Sequence, residues 1–116
     1  MTEPLADPLW RNATDLCRDL QRGTIAATTL MENVYARIAA LNPRLNALVD
    51  LMPQEQAMAL AATADAVPIA ERGPLHGLPM APKDAVAVRG FSSSWGYPGF
   101  AGTVEAQDDE LARRLR

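Results

Sequence analysis

The sequence predicts an α/β fold, and three observations carry that expectation. Leu30, Val34, Ile38 and Leu41 recur at i, i+4, i+8 and i+11, the spacing of one helix face. Leu45, Ala47, Val49 and Leu51 recur at every second position, the period of a strand. A second apolar run, from Met80 to Val88, follows after an intervening helical stretch. Strand, helix and strand from about 45 to 86 read together as a βαβ crossover.

Taken in order, residues 1–11 read as a loose arm, because Pro4 and Pro8 break regular structure. Asn12 is placed as an N-cap, with Asp15 three residues on in a variant of the capping box. Leu16, Cys17 and Leu20 follow at helical spacing, and Gly23 stands where a C-cap glycine belongs, giving a helix over 13–22. Met31 and Tyr35 widen the stripe of the second helix, which Asn42-Pro43 is expected to stop. Pro53 opens a third helix, with Ala57, Leu60, Ala61 and Ala64 as its buried stripe. Pro68 to Pro74 is loop, and Met80 to Val88 is the second strand. Four glycines, Pro98 and three serines from Gly90 to Gly102 predict an ordered but irregular loop. The last segment carries acids first and arginines last, matching a helix dipole. So few strands, with helices on one side, leave a sheet edge and a sheet face uncovered, as in a piece of a larger α/β sandwich.

A chain of 116 residues holds at most one domain by this reading, and its net charge of -3 gives no basic excess for nucleic acid. The single cysteine, Cys17, excludes an internal disulfide and fits a reducing compartment. The start, Met-Thr-Glu-Pro, lacks the basic-then-apolar pattern of a signal peptide, and no apolar run has membrane-spanning length. A cytoplasmic protein with no membrane partner is expected.

The chemistry concentrates in Gly73-Pro74-Leu75-His76-Gly77-Leu78-Pro79-Met80-Ala81-Pro82-Lys83-Asp84, which holds the only lysine and the only histidine. Ten other cationic side chains are all arginine, which does not give up its proton near neutral pH. Lys83 is therefore the one lysine available as a proton acceptor above pH 7. At a reference pKa near 10.4, only about one lysine in a few thousand is neutral at pH 7. Apolar walls from Leu78 to Pro82 would raise that share, so Lys83 is expected to be buried, on a stiff, extended approach. The plain alternative is a solvated lysine or one paired with Asp84. His76 reads as a turn-stabilising residue, since no G-x-S-x-G elbow accompanies it. Asp84 is expected to orient backbone or the lysine rather than act as an acid. Ser92, Ser93 and Ser94 either line a substrate pocket or cap the turn. The phosphate-loop spacing fails, and one histidine with one cysteine argues against a metal site.

The run from Gly73 to Asp84 resembles the first signature of the amidase signature enzymes, serine hydrolases with a Ser–cis-Ser–Lys triad. Leu41 to Ala47, Gly90 to Gly96 and Asp108 to Arg116 resemble the segments flanking that signature, so the likeness covers roughly residues 12–116. Pro82 departs from it, because the family more often has a branched apolar residue before the lysine. The resemblance implies the N-terminal part of an α/β/α sandwich with a mixed sheet and a helical N-terminus. It makes 12–116 a partial domain ending before the Gly/Ser-rich segment that holds both serines. It makes Lys83 the triad base, with Asp84, Ser93 and Ser94 as supporting or substrate-pocket residues. The implied reaction is hydrolysis of a carboxamide C–N bond in a small-molecule amide, without cofactor or metal. Two alternatives stand beside it: an inactive truncated fragment or interaction piece, and one component of a glutamine-dependent amidotransferase. The chain alone is expected to hydrolyse no amide and to be poorly stable, and its uncovered apolar faces admit a homo-oligomer.

Overall fold

The computed structural model describes residues 8–116. Within them lie four α-helices: α1 (Ala13–Arg22), α2 (Ala27–Leu45), α3 (Gln54–Asp65) and α4 (Glu110–Leu115). Short 3-10 turns occur at Pro8–Trp10, Ile69–Glu71 and Pro98–Phe100. The expected arm over 1–11 lies largely outside the described residues.

The chain divides into two compact units. One comprises residues 8–47 with Met52–Pro79 and holds α1, α2 and α3. Helix α1 begins as its sequence predicts. The Asn12 side chain accepts from the Asp15 amide at 2.9 Å and donates back to the Asp15 carboxylate at 2.9 Å. It ends at Gly23, φ 71°, in a Schellman arrangement: Gly23 N–H donates to Leu20 and Thr24 N–H to Asp19. Ala26, the N-cap of α2, offers no capping side chain. The acceptor comes from α3 instead. The Asp65 carboxylate accepts from Ala27 N–H at 2.6 Å, Thr28 N–H at 3.1 Å and the Thr28 hydroxyl at 2.8 Å. An anion at that end also complements the helix dipole. Burial raises the Asp65 pKa, but the Thr28 and Ala27 hydrogen bonds and the Arg72 charge outweigh it and hold it below the usual value.

Leu16, Leu20, Ala27, Leu30 and Ala61 form the core, with Ile25, Met31, Ala64 and Leu78 packed around it. Leu20 and Leu30 are each only 1% exposed. Buried Ala57 and Ala61 let α3 lie close to α2, whereas Leu60, expected in the same stripe, is exposed. The Arg72 guanidinium donates to the carbonyls of Val67, Leu20 and Asp65, joining the C-terminal ends of α1 and α3. Buried Tyr35 donates its hydroxyl to the Met52 carbonyl.

The expected mixed sheet is absent: among the described residues there is no strand, only one isolated antiparallel bridge between Ser92 and Val104. Helix α2 does not stop at Asn42-Pro43 but runs one turn further. Proline removes one donor, and Asn42 closes the final turn by accepting from Asn46 N–H through its carbonyl and from Ala47 N–H through its side chain. Asn46, φ 48°, then stops the helix. This helical end and left-handed residue occupy the start of the predicted strand 45–51, where Leu45, Val49 and Leu51 stay exposed. A period of two yields a strand only when a neighbour supplies the ladder. Met80–Val88 likewise forms irregular coil and a turn, so the βαβ reading fails with both its strands.

Residues Leu48–Leu51 and Met80–Arg116 make up the other unit. Helix α4 is capped by Asp109, whose carboxylate accepts from Ala112 N–H at 2.9 Å. Asp109 N–H donates to the Ala87 carbonyl, and the Asp108 carboxylate accepts from Arg89 N–H and from the Arg116 guanidinium. Ala112 and Ser93 are the buried side chains of this unit.

Candidate active site

The lysine motif is built in two halves. From Gly73 to Leu78 the chain makes turns rather than the expected extended path: His76 N–H donates to the Gly73 carbonyl and Leu78 N–H to that of Leu75. Gly77, φ 73°, passes so close to the helical core that a Cβ there would lie 3.1 Å from the Ala27 Cβ. His76 Nε2–H donates to the Ala64 carbonyl at 2.7 Å, so that nitrogen is held by the C-terminal turn of α3, in keeping with a turn-supporting residue. Leu78 packs on the core.

The second half carries Lys83, which belongs to the other unit. Its carbonyl accepts from Val86 N–H at 2.8 Å, closing a turn over 83–86. The side chain is exposed, contrary to the burial expected of it. The apolar approach residues Met80, Ala81 and Pro82 are themselves exposed and form no wall around it.

Asp84 is half-buried and engaged at both oxygens. One accepts from Ser94 N–H at 3.1 Å, the other from the Ser94 hydroxyl at 2.6 Å. Chiefly the Ser94 hydroxyl, and then the Ser94 amide, hold the Asp84 carboxyl below the usual carboxylate range. The Ser94 oxygen accepts in turn from Gly96 N–H at 3.2 Å. A turn follows, in which Tyr97 N–H donates to the Ser94 carbonyl at 2.8 Å. Its central residues, Trp95 (φ 56°) and Gly96 (φ 70°), both have positive φ, the pattern of a type I′ turn. A bulky side chain rarely adopts that conformation, which costs on the order of 1–3 kcal/mol and persists only where its surroundings enforce it. The Trp95 indole is 66% exposed.

The segment leading into this turn is anchored. Ser92 N–H donates to the Asp50 carboxylate at 2.6 Å, and Ser93 N–H to the Thr103 carbonyl at 3.2 Å. Gly90 N–H donates to Glu105, and Glu105 N–H to Phe91. Ser93 is 3% exposed, and its hydroxyl has no hydrogen-bond partner among the described residues. Of the residues singled out in the sequence, the structure therefore joins Asp84 to Ser94, leaves the Ser93 hydroxyl in the interior and leaves Lys83 open. The Asp84–Ser94 pairing spans ten positions, and the left-handed turn follows it. Among the described residues no group of three or more His, Cys, Asp or Glu is placed to hold a metal. No helix there is long and apolar enough to cross a membrane.

Known proteins resemble this chain over most of its length. A glutamyl-tRNA(Gln) amidotransferase subunit from Lysinibacillus sphaericus (strain C3-41) is 32% identical over 106 residues, covering 91% of this chain and 22% of that protein. The indoleacetamide hydrolase of Bradyrhizobium diazoefficiens is 32% identical over 111 residues, covering 94% and 21%. An acylamidase of Rhodococcus erythropolis is 27% identical over 108 residues, covering 92% and 23%. The chain thus spans about a fifth of the length of these relatives. The Amidase family model matches residues 29–116, a span that includes the whole lysine motif. With three quarters of its residues inside that match, the chain belongs to the Amidase family.

Proposed function

We propose that this chain supplies the general base of an amidase-type hydrolase that cleaves a carboxamide C–N bond by a Ser–cis-Ser–Lys mechanism. Lys83 takes a proton from the cis-serine, which takes one from the nucleophilic serine. The nucleophile attacks the amide carbonyl, the amine departs with the proton that Lys83 returns through the cis-serine, and water hydrolyses the acyl-enzyme, leaving its proton on the nucleophilic serine. The observation that carries this reading is the Lys83-Asp84 pair inside the family match, with Asp84 fastening the backbone beside the lysine to the Ser94 turn. Both serines belong to a Gly/Ser-rich segment that residues 1–116 do not contain. By itself the chain therefore hydrolyses no amide, and the same segment covers Lys83 in the working enzyme. The substrate is a small-molecule amide, neither nucleic acid nor membrane takes part, and no cofactor or metal is used. The protein works in the cytoplasm, where its single Cys17 stays reduced. Its exposed apolar side chains leave room for a homo-oligomer.

A second reading is favoured by the names of its relatives, several of which are glutamyl-tRNA(Gln) amidotransferase subunits. On that reading ammonia released by the same chemistry passes to an acceptor held by a partner. A hydrolase turns over simple amides alone, whereas an amidotransferase component needs its partner for full turnover.

The test uses a chain extended through the serine segment. Lys83→Ala should lower amide hydrolysis by about 10²- to 10⁴-fold, the usual contribution of a general base, with the fold intact. His76→Ala should keep measurable turnover, because the His76 ring supports the Ala64 turn. Wild-type turnover in Lys83→Ala, or its abolition in His76→Ala alone, would refute the assignment.

A further inference from the structure

The hydroxyl of Ser94 is engaged inside the protein as both donor and acceptor. It donates to Asp84 at 2.6 Å and accepts from Gly96 N–H at 3.2 Å, which leaves it little capacity to bind a substrate. Asp84 directly follows Lys83, and both its oxygens are spent on the same serine. The lysine's own carbonyl is fixed by Val86 N–H. The backbone on the C-terminal side of the lysine is thus held twice, by a turn and by a charge-assisted pair of hydrogen bonds. Ser94 in turn follows a segment held by Asp50 and by the backbone of Thr103 and Glu105, so the serine is an anchored point rather than a loose one. Few apolar side chains are buried in this unit, so packing gives Lys83 little support.

Resting on the lysine-base reading above, we infer that Ser94 is a positioning residue: through Asp84 it sets where Lys83 stands, and it does not contact the substrate. The role differs from a pocket-lining serine in what it predicts. A pocket serine removed by mutation changes substrate binding, whereas a positioning serine changes the proton-transfer step. Misplacement of a catalytic group by about 1 Å can cost on the order of 10²-fold in rate.

The experiment again uses the chain extended through the serine segment, assayed on a simple aliphatic or aromatic amide. Ser94→Ala should lower kcat about 10- to 100-fold with KM unchanged. Ser94→Thr keeps the hydroxyl and should restore kcat to within a few-fold of wild type. Ser94→Cys keeps the volume and weakens the donor, and should fall between the two. It also carries the test should Ser94→Ala fail to fold. The inference is overturned if Ser94→Ala, or Ser94→Cys in its place, has wild-type kcat, or if the loss appears in KM alone. It is also overturned if Ser94→Thr is as slow as Ser94→Ala. Lys83→Ala run in parallel separates the two claims. An active Lys83→Ala removes the lysine reading itself. An inactive Lys83→Ala beside a wild-type Ser94→Ala removes only the role given to Ser94.

Discussion

The two units of this chain are held together by different physics. Around α1, α2 and α3 an apolar core dominates, with Leu16, Leu20, Leu30, Tyr35 and three alanines buried, and Asp65 and Arg72 fasten the helix ends beside it. In the unit that carries Lys83, the buried side chains are Ser93 and Ala112, and the backbone is fastened by carboxylates. Asp50 holds Ser92, Asp84 holds Ser94, Asp108 holds Arg89 and Asp109 holds Ala112. An apolar core fixes elements to one another without direction, through buried area. Carboxylates hold individual backbone amides at defined distances with little burial.

That contrast can be broken by mutation, beginning with the largest expected effect. Leu20→Ala removes a fully buried side chain and should destabilise by about 2–5 kcal/mol, read as a lower midpoint in denaturant. A loss below about 0.5 kcal/mol would mean that the helical unit does not depend on its core.

Asp65→Asn should cost about 0.5–2 kcal/mol, the range for losing a helix N-cap. Its pH dependence sharpens the point. The Asp65 carboxyl titrates below its usual value in the folded protein, so the unfolded chain binds its proton first as pH falls. Its stabilisation is complete above the unfolded value near 3.9 and is lost as pH drops through the lower folded value. Wild type should therefore lose its advantage over Asp65→Asn in that acid window. A constant difference across it would show that the carboxylate's charge is not what caps α2.

The smallest effect belongs to the other unit. Val104→Ser replaces an exposed apolar side chain and should change stability by no more than about 0.5 kcal/mol. A loss comparable to that of Leu20→Ala would reveal an apolar core there and end the distinction.

Legibility in the sequence followed the same division. Helices α1, α2 and α3 were readable because their signals are local: the Asn12 cap with Asp15, Gly23, the Leu30–Leu41 stripe and Pro53. What failed was non-local. The alternation over Leu45–Leu51 lacks a paired neighbour, and Asn42 and Asn46 supply a better ending for α2 than Pro43 does. The Asp65 cap comes from 37 and 38 positions away, although the bare Ala26-Ala27 start of α2 hints that an acceptor must arrive from elsewhere. Lys83 stands out in the sequence as the only lysine, but its exposure was not legible, because burial depends on what surrounds the motif and not on the motif.

The most direct test of Lys83 as the base is Lys83→Arg in a chain extended through the serine segment. The substitution keeps the positive charge and the long stem but removes the ability to become a neutral base. Loss of amide hydrolysis comparable to that of Lys83→Ala is expected, with the fold intact. Turnover near wild type in Lys83→Arg would contradict the assignment, because a permanent cation would then serve and proton transfer by Lys83 would not be the chemistry.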